Sequence, residues 1–91
     1  MWFIRRVSGD SMSPTLKNSQ LVLCSHDRDI KPGDVVVAFV RNREVVKRVA
    51  KIDGGQVYLE SDNLNHRHGG RYYAKIVDTK IEGKVVWPRN L

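Results

Sequence analysis

Two short stretches carry the side chains that can do chemistry. "SGDSMSPTL" (residues 8–16) gathers three serines, a threonine and an aspartate around one methionine and one proline. "EVVKRVA" (residues 44–50) sets two cations, Lys47 and Arg48, inside an otherwise apolar run. A serine hydroxyl is a weak nucleophile until a base takes its proton. A lysine amine can be that base only when neutral, and at an ordinary pKa near 10.4 only about one in 2,500 is neutral at pH 7. Burial lowers that pKa because the charged form loses hydration, and a value of roughly 7–8 makes a usable base. Arginine cannot follow, since it stays protonated to above about pH 12. Lys47 is therefore the cation of the two that can act as a base, and Ser-Lys pairs are a known variant of the serine-hydrolase arrangement.

Strand alternation puts Val45, Lys47 and Val49 on one face of this run and Val46, Arg48 and Ala50 on the other. Each face holds one cation between apolar neighbours, so burying either one partly desolvates a cation. The competing account is snorkelling, with the stem packed and the charged head in water. Asp10 beside Ser11 is a poor base, because adjacent residues of an extended chain point apart, and it suits holding the turn through nearby backbone N–H groups. "HRH" (66–68) with His26 raises zinc, but no cysteine or carboxylate completes a set at known spacing, so no metal and no cofactor are expected. A Ser-His-Asp triad using Asp10 or Asp62 lacks a nucleophile elbow.

The elements that must position these groups are short, β-branched and punctuated by turn residues. The pattern predicts strands at 2–8, 20–25, 35–40, 44–52, 56–61, 72–77 and 80–87. Turns are expected at "KPGD" (31–34), "RNR" and "DGG" (53–55), and "DNLNHRHGG" (62–70) reads as a polar loop. "VVVAFV" (35–40) is apolar on both faces and so belongs at the centre of a sheet. "SPTL" (13–16) can form one helical turn, with Ser13 as cap and Pro14 at the first helical position. About seven strands and no convincing helical period predict an all-β fold, a compact antiparallel barrel or folded sheet, in one domain spanning 1–91.

Bulk composition narrows the partners. The chain has 91 residues, with 41% hydrophobic, 29% charged and a net charge of +6. The cations are scattered, and no aromatic-plus-basic motif of an RNA-binding sheet occurs, so nucleic acid is not expected. The single cysteine, Cys24, sits in an apolar run and reads as a small buried side chain. No stretch approaches a membrane span, and "MWFI" followed by "RR" has the wrong order for a signal peptide. Peripheral contact with a bilayer through Trp2 and Phe3 stays open. The expected location is cytoplasmic or membrane-peripheral.

"GDSMSPTL", then "VVKRVA" about 36 residues on, then "SDN" and "IEGKVV", strongly resemble the type I signal peptidases. More distantly they resemble the self-cleaving domains of SOS-type repressors. Both belong to one group of Ser-Lys proteases with a shared all-β catalytic fold, and the resemblance runs from about residue 5 to 86. It implies Ser11 as nucleophile and Lys47 as the base that takes its proton and returns it to the leaving amine. Met12 would help shape the site, and Pro14, Thr15 and Leu16 complete the serine box. The Ser11 backbone N–H would hold the oxyanion. Some members add a hydroxyl two residues before the nucleophile, and here that position is Gly9. Asp62, Asn63 and Arg71 match the Asp-Asn box. The serine that orients the lysine in the family falls at Arg67, and an Asp-Ser pair falls at Gly69 and Gly70. Arg67 is expected to point outward, and Ser61 or Ser8 can supply the missing hydroxyl.

The resemblance implies a serine endopeptidase that cleaves an extended segment of a precursor protein after small residues, through an acyl-enzyme, with the segment laid beside a strand edge. A dedicated maturation protease, like the one that trims nickel superoxide dismutase precursors, is the alternative within proteolysis. A non-catalytic peptide-binding relative is the alternative outside it. A self-cleaving repressor is disfavoured, since no DNA-binding domain or cleavable linker precedes Ser11.

Overall fold

Valine, isoleucine and tyrosine dominate the apolar runs, and such side chains pack well on a pleated surface. The computed structural model describes residues 1–27, 29–64, 71–89 and 91. The strands are β1 (Trp2–Arg6), β2 (Leu21–Ser25), β3 (Val35–Val40), β4 (Arg43–Asp53), β5 (Gln56–Glu60), β6 (Tyr72–Val77) and β7 (Ile81–Trp87). They form one sheet in the order β1-β2-β7-β3-β4-β5-β6, and every neighbouring pair is antiparallel. The all-β expectation holds. The seventh strand returns to lie between β2 and β3, which places β3 near the middle of the sheet.

β3 explains its own composition. Val36, Ala38 and Val40 enter one core cluster with Val49, Val57, Leu59, Ala74 and Ile81. Val35 and Val37 enter a second with Val7, Met12, Leu16, Val22 and Cys24. The sheet folds so that both faces of its central strand are covered, which is why the run shows no alternation. Cys24 is fully buried, and burial pushes its thiol up to about 11.

Two features draw the strands together. β3 turns into β4 through Arg41 and Asn42, whose φ values of 50° and 64° suit the right-handed twist of a tight hairpin. In β7, Gly83 lies against the Ser25 carbonyl of β2, and a Cβ there would overlap the Ser25 backbone.

The sequence expectation fails at "SPTL". Residues 11–16 form successive turns and no helix. One bond of helical type closes there, from the Leu16 N–H to the Met12 carbonyl at 2.9 Å. One bond does not repay the ordering of a helical nucleus, whereas Met12 and Leu16 both gain complete burial from this shape. The boundary expected at Lys80 also shifts: Asp78–Lys80 is a 3-10 turn, and β7 starts at Ile81.

Candidate active site

The first element of the site is the turn that leaves β1. Gly9 has φ +89°, a conformation that side-chain-bearing residues rarely adopt, and its N–H donates to Asn18 Oδ1 at 2.8 Å. A hydroxyl-bearing residue at this position would carry backbone strain, which accounts for the glycine there. The turn is then held from the Asp-Asn box. The Asn63 N–H donates to the Ser11 carbonyl at 2.9 Å, and Asn63 Nδ2 donates to the Asp10 carbonyl at 2.9 Å. The Asp10 carbonyl also accepts from the Ser13 N–H at 3.0 Å. Asp10 thus holds the turn through its carbonyl, and its exposed carboxylate has no bond to a backbone N–H among the described residues.

The second element is β4. Lys47 is 5% exposed and Ser11 7% exposed. A hydrogen bond joins Lys47 Nζ to Ser11 Oγ. The alternation expected for "EVVKRVA" is observed: Lys47 turns inward with Val49, and Arg48 emerges on the opposite face. Lys47 does not snorkel. Its Nζ also lies 4.5 Å from the centre of the Tyr73 ring.

Arg48, one residue on, locks the third element. Its Nε and Nη2 donate to the two carboxylate oxygens of Asp62, each at 2.8 Å, and its Nη1 donates to the Gly33 carbonyl at 2.6 Å. Thr15 Oγ1 donates to Asp62 Oδ2 at 2.5 Å. Burial alone would raise the Asp62 carboxyl, but the bonds from Arg48 and Thr15 outweigh it and hold the group below the usual carboxylate range. One carboxylate therefore ties the serine turn to the lysine strand. Arg71 contributes through its backbone, where its carbonyl accepts the Ser61 N–H at 2.8 Å, while its side chain reaches Glu60 only at 4.0 Å.

Between the serine turn and β4 runs an open groove of about 310 Å³, walled by residues 5–11 on one side and 43–47 with Tyr73 on the other. β1 pairs only with β2, and β4 pairs with β5 only from Arg48 onward. Both walls of the groove are thus strand edges with no strand partner among the described residues. Next to it, Arg5 Nε donates to Glu44 Oε1 at 2.8 Å, and Arg5 Nη2 lies 3.8 Å from Glu82 Oε1. Burial and the hydrogen bond with Glu44 push the Glu82 carboxyl up to about 7. That same bond, helped by Arg5 against burial, holds Glu44 below its ordinary value.

Of the predicted site residues, Ser11, Lys47, Met12, Gly9, Asp10, Asp62 and Asn63 come together, and Arg71 closes the box from outside. The expectations placed on Arg67, Gly69, Gly70 and the "HRH" histidines lie outside the described residues. Of the two candidate hydroxyls, Ser61 is 1% exposed and its Oγ has no hydrogen-bond partner among the described residues, while Ser8 stands exposed at the groove wall. Residue-level reasoning missed Tyr73 and the part played by Arg48. The alternation in "YYAKIV" carried no clear signal for Tyr73, since period two would place Tyr72 on the face of the buried Ala74, yet Tyr72 is exposed. At the N-terminus alternation does separate two residues that the sequence reading grouped. Trp2 is 67% exposed, whereas Phe3 is half-buried against the second core cluster, its ring 4.4 Å from that of His26.

An all-β sheet with a hydroxyl and an amine joined at the side of a peptide-sized groove is the framework of a peptidase. The chain belongs to the peptidase S24-like family, whose pattern matches residues 1–86. It is similar to mitochondrial inner membrane protease subunit 1 of Mus musculus, 32% identical over 111 aligned residues that cover 89% of this chain and 67% of that protein. The Homo sapiens protein of the same name is 31% identical with the same coverage. Signal peptidase I of Streptococcus pneumoniae is 35% identical over 65 residues, covering 69% of this chain and 32% of that protein. The chain thus spans about two thirds of the mitochondrial relatives and about a third of the bacterial one. The 111-residue alignment exceeds the 91 residues of this chain, so the mitochondrial relative carries inserted segments between the shared ones.

Proposed function

We propose that the chain is a signal-peptidase-like serine endopeptidase, one catalytic domain over 1–91, with Ser11 as nucleophile and Lys47 as general base. The observation that carries this reading is the buried Lys47 amine bonded to the Ser11 hydroxyl beside an open groove. The neutral amine takes the Oγ proton as Oγ attacks the scissile carbonyl carbon. The oxyanion that forms is stabilised by the Ser11 N–H, which has no acceptor among the described residues. Lys47, now an ammonium, passes its proton to the departing amine, leaving an ester on Ser11. Water then gives a proton to Lys47 and attacks the ester, and the proton returns to Oγ. Met12, fully buried directly after the nucleophile, keeps the turn seated while this happens.

The substrate of this reading is an extended segment of a precursor protein, cut after small residues. A strand laid between the free edges of β1 and β4 finds backbone donors and acceptors on both sides. Contact with a membrane surface belongs to the same reading, through Trp2 as the sequence suggested but without Phe3. Trp2 and Ile4 of β1, Leu21 and Leu23 of β2 and Trp87 of β7 share an outward face, as the register Ile4–Leu23–Trp87 requires. Phe3 points to the other face.

The test is cleavage of a fluorogenic peptide library by wild type, Ser11→Ala and Lys47→Ala. Turnover lost in both variants supports the dyad. Full activity of Lys47→Ala rejects it, and no Ser11-dependent turnover between pH 7 and 10 replaces the protease with a peptide-binding domain.

A further inference from the structure

We propose that Tyr73 is a positioning residue for Lys47, its ring face holding the amine against Ser11 and stabilising the ammonium that forms when the serine gives up its proton. The inference rests on the dyad reading above.

The geometry supplies the argument. Tyr73 is the second residue of β6, the outermost strand on its side of the sheet, and lies between an exposed Tyr72 and a buried Ala74. The strand slips register by one residue between the pairs Leu59–Ala74 and Glu60–Tyr72. At that slip the Tyr73 ring is turned toward β4, with Lys47 Nζ 4.5 Å from its centre. A cation within about 6 Å of a ring centre is attracted by the negative face of the ring. The guanidinium of Arg41, in the β3–β4 turn, lies at 5.8 Å from the same ring. Lys47 Nζ thus contacts both Ser11 Oγ and an aromatic face.

The chemistry calls for a wall of this kind. A base that begins neutral and becomes charged in the tetrahedral state must tolerate both forms. A purely apolar wall would make the ammonium too costly, and a carboxylate would fix the amine as an ammonium from the start. A ring face stabilises the cation by an intermediate amount and adds no competing charge. The carboxylates nearest the site are engaged elsewhere: Asp62 with Arg48 and Thr15, Glu44 with Arg5 and Glu82, Glu60 with Arg71. Asp10 stands exposed at the turn. The remaining cations of the groove walls are Arg6, whose Nη1 donates to the Ser19 carbonyl, and the exposed Arg43 at the start of β4.

The ring quadrupole is the tested property, so the variants change it in steps: Tyr73→Phe, then Phe analogues at 73 carrying increasing fluorine, then Tyr73→Leu. Two readouts are used. One is the pH dependence of kcat/KM on a cleavable peptide. The other is the titration of the Lys47 Cε and Nζ signals by NMR, which needs no turnover. Removing the ring withdraws support from the ammonium, so the midpoint moves to lower pH. Tyr73→Phe is expected to keep the wild-type midpoint, and Tyr73→Leu to lower it by about one unit, with the fluorinated series graded between. The exposed neighbour Tyr72→Leu serves as a control and leaves the midpoint unchanged. A flat series overturns the inference while the dyad stands. If Lys47→Ala keeps its activity, the dyad falls, and the NMR titration still decides whether the ring holds the amine. Should Tyr73→Leu fail to fold, the fluorinated series, which preserves ring shape, decides alone.

Discussion

Removing the Asp62 carboxylate takes three hydrogen bonds out of the joint between the serine turn and the lysine strand. Two come from the Arg48 guanidinium at 2.8 Å each and one from Thr15 at 2.5 Å. The Arg48 and Asp62 side chains are 17% and 12% exposed, so the pair is mostly, not wholly, out of water. Hydrogen bonds to charged groups are worth roughly 1.5–3 kcal/mol each, and breaking one side of a fully buried pair costs about 3–5 kcal/mol. Partial exposure puts Asp62→Ala near the lower end, at about 3 kcal/mol. Asp62→Asn keeps the shape but presents an amide to one guanidinium nitrogen, and should cost about 2 kcal/mol. In a domain of this size each kcal/mol moves Tm by about 4–8 °C, so the alanine variant should melt about 12–24 °C lower.

The assay is urea unfolding with the linear slope held common, alongside peptide cleavage. Because Asn63 follows Asp62 and anchors the Ser11 carbonyl, kcat/KM should fall at least about tenfold together with stability. The sign with pH is fixed. The folded Asp62 carboxyl lies below its ordinary value, so its contribution is present above about pH 4 and is lost as pH falls through the lower, folded value. The gap between wild type and Asp62→Ala should therefore close in acid. A variant within about 0.5 kcal/mol of wild type at pH 7, or a gap that persists unchanged to pH 2, refutes the clamp.

Activity should rise with pH along a limb centred below the ordinary lysine value of about 10.4, and Lys47→Arg should be inactive at every pH because the guanidinium stays protonated. Gly83→Ala should cost at least about 2 kcal/mol in urea unfolding, since its Cβ forces β7 away from the Ser25 backbone. Glu82 has a folded value of about 7 against an ordinary 4.5, so the folded state holds an extra proton between those values and stability should decline as pH rises through that window. Glu82→Gln should flatten the decline, with a gain of about 1 kcal/mol at pH 8 after allowing for solvent screening.

The strand framework was legible because it depends on local patterning. "VVVAFV" announced a strand covered on both faces, whereas "EVVKRVA" left open whether Lys47 or Arg48 would turn inward, because each sits between apolar neighbours on its own face. The choice of Ser11 among three serines was not legible from residue types. The turn that brings Ser11 to Lys47 is gripped by Asn63 at the carbonyls of residues 10 and 11, from more than fifty positions away, and the role proposed for Ser11 rests on the family resemblance. "SPTL" misled because capping rules describe an isolated segment, while Met12 and Leu16 are pulled into the core. Tyr73 escaped notice because its direction depends on a register slip beside Glu60, which no single strand records. Trp2 and Phe3 were grouped by composition, though strand alternation assigns them to opposite faces.

The location of the groove follows from the way the sheet fails to close. β1 and β6 are the two end strands in the sheet order, yet residues from both line one cavity, together with the part of β4 that β5 leaves uncovered. The sheet has curled until residues of both end strands border one gap. Unpaired edges are ordinarily blunted by charge or by covering segments. Here Arg5, Arg43 and Glu44 stand along the gap, which discourages pairing with an arbitrary apolar strand while leaving the backbone accessible. A precursor segment entering the gap would act as an added strand, and its backbone would be drawn past Ser11 by the same hydrogen bonds that complete the sheet. On this reading binding and cleavage are linked through register. Shifting the bound peptide by one residue would turn its side chains to the opposite face and carry the scissile bond about 3.3 Å from the nucleophile. Specificity would then come from the side chains at alternate positions of the segment, which the groove must accept for the correct bond to arrive at the hydroxyl.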